Sequence, residues 1–241
     1  MIYCTGDMHG DSLRFNDKKL KKLKKGDSLI ICGDFGFIWD GSEKEQKFLK
    51  KLGRKKYNIL FLEGSHENFE LLASYPTTEW NKGLVRQISG RLMQLCRGSI
   101  FEIDGVKLFA FGGGISLASE LADGEEQYVD EALPTEEDLQ NAIDNLEAQG
   151  REVDYVVSYE PPSVLKDFIH EENSDIVVKS QINALFDEIV AHCEFKKWVF
   201  GKCHKNKIVS PKYTAVYTGI VELETPPKPK KRLFKKKKSA E

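Results

Sequence analysis

The residues that could do chemistry begin at Asp7. Gly6-Asp7-Met8-His9-Gly10 sets a carboxylate and an imidazole two positions apart, framed by glycines that let the backbone turn sharply. A carboxylate oxygen and an imidazole nitrogen aimed at one point suit a divalent transition metal. One such pair is weak, because Asp and His in strand-loop turns commonly do no more than hydrogen-bond the turn. The chain then supplies more of the same kind, in order: Gly33-Asp34-Phe35-Gly36, Gly64-Ser65-His66-Glu67, Ser158-Tyr159-Glu160-Pro161-Pro162 and Gly201-Lys202-Cys203-His204.

Each of these segments follows an apolar run that reads as a strand: residues 1–5, 28–32, 57–62, 153–157 and 195–200. Five strands therefore end in polar, turn-forming loops. In open α/β sheets, ligands sit beyond the carboxyl ends of the strands. The same positional logic would gather these five loops at one place.

The order GD-x-HG, GD, G-x-HE, a Pro-Pro loop and G-x-x-H resembles the calcineurin-like metallophosphoesterases over about residues 1–220. The resemblance implies an α/β (α+β) fold, a four-layer αββα sandwich of two mixed sheets flanked by helices. It implies a centre of two neighbouring metals that share the aspartate of the second motif, here Asp34. It also implies that Asp7, His9, Asp34 and His204 ligate the first metal, and that His66 is the catalytic histidine facing the phosphate.

The departures from the family pattern fall together. The family's GNHE asparagine is Ser65 here, the histidine before Glu-Pro-Pro is Tyr159, and the first histidine of GHxH is Lys202. In the family those three positions ligate the second metal. A serine hydroxyl is a poor ligand beside an amide carbonyl. Tyrosine ligates well only as a phenolate, and a charged lysine has no lone pair at all. Two readings of Lys202 stand: a fixed positive charge where the second metal would sit, or a solvated loop lysine. Glu160, Cys203 and Glu67 lie nearby, and none is expected to coordinate. Phe37 stands where some family members carry a tyrosine ligand.

The expected function is a phosphoesterase acting on mono- or diesters with a reduced site. It would hold one divalent transition metal (Mn²⁺, Fe²⁺ or Zn²⁺), with no second metal, and use His66, Asp34 and Lys202 in catalysis. The rival reading is a retired phosphoesterase that keeps the fold and works by contact.

At 241 residues, one domain with a sizeable core is expected. Residues 228–238 carry eight of the 36 basic residues, leaving 28 basic against 37 acidic in residues 1–227. The expected division is a domain over residues 1–225 and a disordered basic tail over 226–241, since such a run buries too little apolar surface to order itself. Residues 228–238 offer a contact for nucleic acid or another anionic surface, or else only a solubilising end. No apolar run approaches the roughly 20 residues of a membrane helix. The five cysteines read as reduced, mostly buried thiols, and a cytoplasmic location is expected.

Among the connecting segments, helices are expected over residues 11–25, 43–53, 67–74 and 134–149, the last capped by Thr135. The helix from 67 would aim its positive dipole end at the site. Residues 84–111 read as the start of a second sheet, with Asp104-Gly105 as a hairpin turn. Residues 115–133 read as an acidic, irregular lid or substrate loop, and 163–192 as one or two helices. Closing strands are expected over 207–210 and 213–217. His170 and His192 are assigned no role.

Overall fold

The computed structural model describes residues 1–115, 130–165 and 180–227. The tail from 228, the centre of the acidic segment and His170 lie outside the described residues. Thirteen strands are present among those described. The first three are β1 (Ile2–Thr5), β2 (Ser28–Cys32) and β3 (Asn58–Leu62). Then come β4 (Thr77–Trp80), β5 (Gly83–Ser89), β6 (Leu92–Leu95), β7 (Ser99–Ile103) and β8 (Val106–Phe111). The last five are β9 (Tyr155–Ser158), β10 (Lys197–Phe200), β11 (Lys207–Ser210), β12 (Tyr213–Ala215) and β13 (Val221–Leu223).

Seven of them form one sheet in the order β13-β1-β2-β3-β6-β5-β4, and six form a second in the order β11-β12-β10-β9-β8-β7. Both sheets are mixed, and neither closes on itself. In the first, β1, β2, β3 and β6 run parallel, with Cys4 opposite Ile30 and Ile30 opposite Leu60. In the second, β8, β9, β10 and β12 run parallel.

The sequence explains why both faces of these strands are covered. Parallel strands buried on two sides read as continuous apolar runs. Along β2 and β3 the side chains alternate between two cores. Ile30, Cys32, Leu60 and Leu62 face Phe101, Leu108, Val157 and Val199 of the other sheet. Leu29, Ile31, Ile59 and Phe61 face the other way, onto Phe15, Leu49 and Leu52. The second sheet does the same, turning Phe109, Phe111, Val156 and Trp198 toward Leu146, Phe186 and Ile189.

The outer layers are helical. α1 (Glu43–Gly53), capped by Ser42, covers the first sheet. α2 (Phe69–Ala73) is capped by Asn68. α3 (Glu136–Ala148) begins with a reciprocal Thr135–Asp138 capping box, as its sequence predicts. α4 (Gln181–His192) completes the second sheet's cover and carries His192 at its exposed end.

The structure corrects three expectations. Residues 11–25 are not an α-helix but two 3₁₀ turns, Ser12–Asn16 and Leu20–Lys22. Asp17 accepts the backbone N–H of Lys19, and Asp27 that of Lys24, local bonds that compete with helix formation. Leu20 and Leu23 are buried, while Leu13 is exposed. α2 is a single five-residue turn, so it has little dipole to offer. Tyr75 precedes Pro76, which disfavours further helix. The second sheet starts at β7, because β6 pairs with β3 instead. β4 and β13 are strands of four and three residues with no counterpart among the strands expected from the sequence.

Candidate metal centre

β1 delivers Asp7 and His9 just past its carboxyl end, β2 delivers Asp34, and β3 delivers Ser65 and His66. β9 delivers Tyr159 and Glu160, and β10 delivers Lys202 and His204. Asp7, His9, Asp34 and His204 each place one ligand atom within 4.8 Å of the others. The two imidazoles meet most closely, with Nε2 of His9 2.9 Å from Nε2 of His204. Both carboxylates are buried at 1 % exposure.

The backbone here is strained. Of the eight non-glycine residues with positive φ among the described residues, four are His9, Asp34, Lys202 and His204. Strain of this kind persists where the surroundings over-determine it, and it clusters at functional sites. The loops also pack without slack. A Cβ on Gly64 would lie 2.0 Å from Oδ1 of Asp34, and one on Gly33 would lie 2.0 Å from the Tyr159 ring. Gly33 also has φ +101, a conformation side-chain-bearing residues rarely adopt.

Electrostatically the site calls for a cation. Burial pushes the Asp7 carboxyl up to about 7, and the neighbouring Asp34 charge adds to the push. Burial also acts on Asp34, but hydrogen bonds from His66 and Tyr159 outweigh it and hold this carboxyl below its ordinary range. Burial lowers His9, which leaves its imidazole neutral and free to donate a lone pair. Two buried carboxyl groups and two ring nitrogens at one point fit a divalent transition metal, which would displace the Asp7 proton. His66 lies outside that cluster. Its backbone N–H donates to Oδ1 of Asp34 at 2.9 Å, and Nδ1 lies 3.3 Å from Oδ2. The hydrogen bond to Asp34 raises its pKa.

Of the three altered positions, Ser65 and Tyr159 bond each other, and Lys202 bonds elsewhere. The Tyr159 hydroxyl donates to Oδ2 of Asp34 at 2.9 Å and lies 2.9 Å from the Ser65 hydroxyl. Burial holds the phenol far above its ordinary pKa, so the hydroxyl keeps its proton. Lys202 is not a solvated loop lysine. Its ammonium donates to Oε1 of Glu160 at 2.6 Å and to the Ile115 carbonyl at 2.8 Å. Glu160 is fully buried and also accepts the Ile115 N–H at 2.8 Å. Beyond the end of β9 at Ser158, Tyr159 turns to Asp34 and Ser65 while Glu160 turns to Lys202 and Ile115, away from the ligand cluster as expected. Glu67 accepts the N–H groups of Phe35 and Gly36 instead of reaching the cluster, and burial raises it to about 8. Cys203 is a half-buried thiol that burial pushes up to about 12.

The sequence carried no sign of Arg14. Its guanidinium bonds the Asp7 carbonyl, the Thr5 hydroxyl and the Tyr217 carbonyl, which ties the first motif to the chain's closing segment. It lies in a 3₁₀ turn, where helical periodicity gives no cue.

Two mixed sheets that deliver carboxylates and imidazoles from parallel strand ends to one cluster define a metallohydrolase class. Residues 1–192 match the family model for calcineurin-like phosphoesterase, and the chain belongs to that family of metal-dependent phosphoester hydrolases. His204 lies beyond the matched residues, and the fold brings it in. No curated protein matches the chain. No helix among the described residues is long and apolar enough to cross a membrane.

Proposed function

We propose that the protein hydrolyses phosphate esters with one divalent transition metal, held by Asp7, His9, Asp34 and His204. The observation that carries the one-metal reading is the Tyr159 hydroxyl on Oδ2 of Asp34. A carboxylate oxygen has two lone pairs. Oδ2 of Asp34 accepts the Tyr159 bond and also faces Nδ1 of His66, and Oδ1 accepts the His66 N–H, which leaves one lone pair, on Oδ1, for a cation; on this reading Asp34 serves one ion where its relatives share it between two. The Lys202–Glu160 pair supports the same reading, because it places a compensated ammonium on the loop that would supply a second-site histidine.

When bound, the metal supplies Lewis-acid charge to the phosphoryl oxygens. The chain's own residues do the rest. With Nδ1 of His66 turned to Asp34 and Ser65, the opposite ring nitrogen faces outward on a half-exposed ring. His66 there protonates the leaving oxygen, and its raised pKa keeps that proton available near neutral pH. Asp34 orients His66 and the metal together. Lys202 contributes positive charge beside the cluster while Glu160 holds it in place.

The test is hydrolysis of a small aryl phosphodiester with Mn²⁺, comparing wild type with Asp34→Ala. The variant is expected to lose more than about a hundredfold in rate, since even outer partners of a metal are worth ten- to a hundredfold. Equal rates would leave only the non-catalytic binding module. The basic tail remains, on this reading, a separate contact for an anionic partner.

A further inference from the structure

A groove of about 630 Å³ lies between the first two motif loops and α1. Gly10, next to His9, and Gly36, two past Asp34, line the groove and connect it to the metal centre. Its aromatic residues are Phe37, Trp39 and Phe48. Phe37 and Phe48 stack with ring centroids 5.1 Å apart. Trp39 is 61 % exposed, one of the few large apolar side chains left in water.

The backbone around Trp39 is nevertheless held firmly. The N–H groups of Trp39, Asp40 and Gly41 all donate to the Glu45 carboxylate, at 2.8, 2.9 and 3.3 Å. Asn68 donates to the Trp39 carbonyl at 2.6 Å. An exposed indole on a loop whose backbone is fixed at four points is a platform for stacking whose backbone ordering cost is met before anything binds. The same bonds spread the Glu45 charge over three donors and take it out of competition for a cation. Asp40 caps the Ser42 N–H.

The wall opposite is basic. Lys44, Lys47 and Lys51 recur along one face of α1 and line the groove with Phe48. Lys47 pairs with Glu43 at 3.0 Å. Among the described residues, Lys44 and Lys51 pair with no carboxylate. Seven residues of helix separate them, or about 10 Å. That exceeds the reach of one phosphate and suits successive phosphates of a strand.

We propose that this groove binds a single-stranded oligonucleotide, one base stacked on Trp39 and its flanking phosphates on Lys44 and Lys51. The proposal rests on the phosphoesterase reading, for it names the substrate whose scissile phosphate would reach the adjacent centre. Aromatic platforms beside lysines are a sequence-tolerant way to hold single strands.

Binding of labelled oligothymidylate about ten nucleotides long, within the usual site size, is measured by anisotropy on the full metal-loaded chain. An abasic strand of equal charge is run beside it. Trp39→Ala is expected to weaken the thymidylate roughly tenfold and the abasic strand hardly at all. Lys44→Glu/Lys51→Glu should weaken both, and flatten the salt dependence by about two units of slope. Thymidine monophosphate should compete far more weakly than the strand. Wild-type affinity for thymidylate in both variants would overturn the proposal, as would a mononucleotide competing as well as the strand. Wild-type turnover of a small aryl phosphodiester is followed in parallel. Its absence would count against the phosphoesterase reading, whereas the anisotropy comparison needs no turnover.

Discussion

Asp7 and Asp34 share one buried site with opposite outcomes, and that difference has a measurable consequence. Asp34 is kept ionised by His66 and Tyr159, whereas Asp7 holds its proton up to about pH 7 in the metal-free protein. A ligating carboxylate must lose that proton. The protonated fraction of Asp7 grows as pH falls below about 7, so metal affinity is expected to fall by about tenfold per pH unit there and to level off above it. Calorimetric titration with Mn²⁺ across that range checks this, and a flat affinity would exclude Asp7 as a ligand. Lys202 yields a second prediction. Lys202→Met removes the ammonium that pairs with the buried Glu160 carboxylate and is expected to cost about 3–5 kcal/mol of stability. Adding Glu160→Gln should recover much of that loss in chemical denaturation. If Lys202→Met alone is neutral, the pair does not carry the charge balance described.

The elements place these groups by ending where they do. Asp7, Asp34, His66 and His204 were legible because each follows an apolar run at a strand's carboxyl end, a local pattern with a known geometric result. The Glu160–Lys202 pair was not legible, because it depends on β9 stopping at Ser158 and on two loops 42 residues apart meeting. The 3₁₀ turns of residues 12–22 escaped notice for a related reason: leucine spacing suggested a helix, but Asp17 and Asp27 captured the backbone donors. Packing between elements supplies a test of its own. Gly64→Ala would place a methyl 2.0 Å from Oδ1 of Asp34. Overpacking of this kind costs about 1–3 kcal/mol. The fold should survive while Mn²⁺ affinity drops more than about tenfold. Unchanged affinity by the same titration would mean that the third loop does not fix Asp34.

Across the whole molecule, two sheets share one core and send their parallel strands to a common edge, so the clustered Asp7, His9, Asp34 and His204 come from segments far apart in the sequence. His204 reaches ligands that begin at Asp7, and Arg14 ties the first loop to Tyr217. Metal binding should therefore stabilise the entire domain. A ligand at a hundred times its dissociation constant adds about 2.7 kcal/mol, and chelation should lower the unfolding temperature accordingly. The cation count bears on the account most directly. Elemental analysis of the purified, dialysed full chain should find close to one transition metal per chain. Two per chain would mean that Tyr159, Ser65 and Lys202 leave room for a second ion, and would contradict the account.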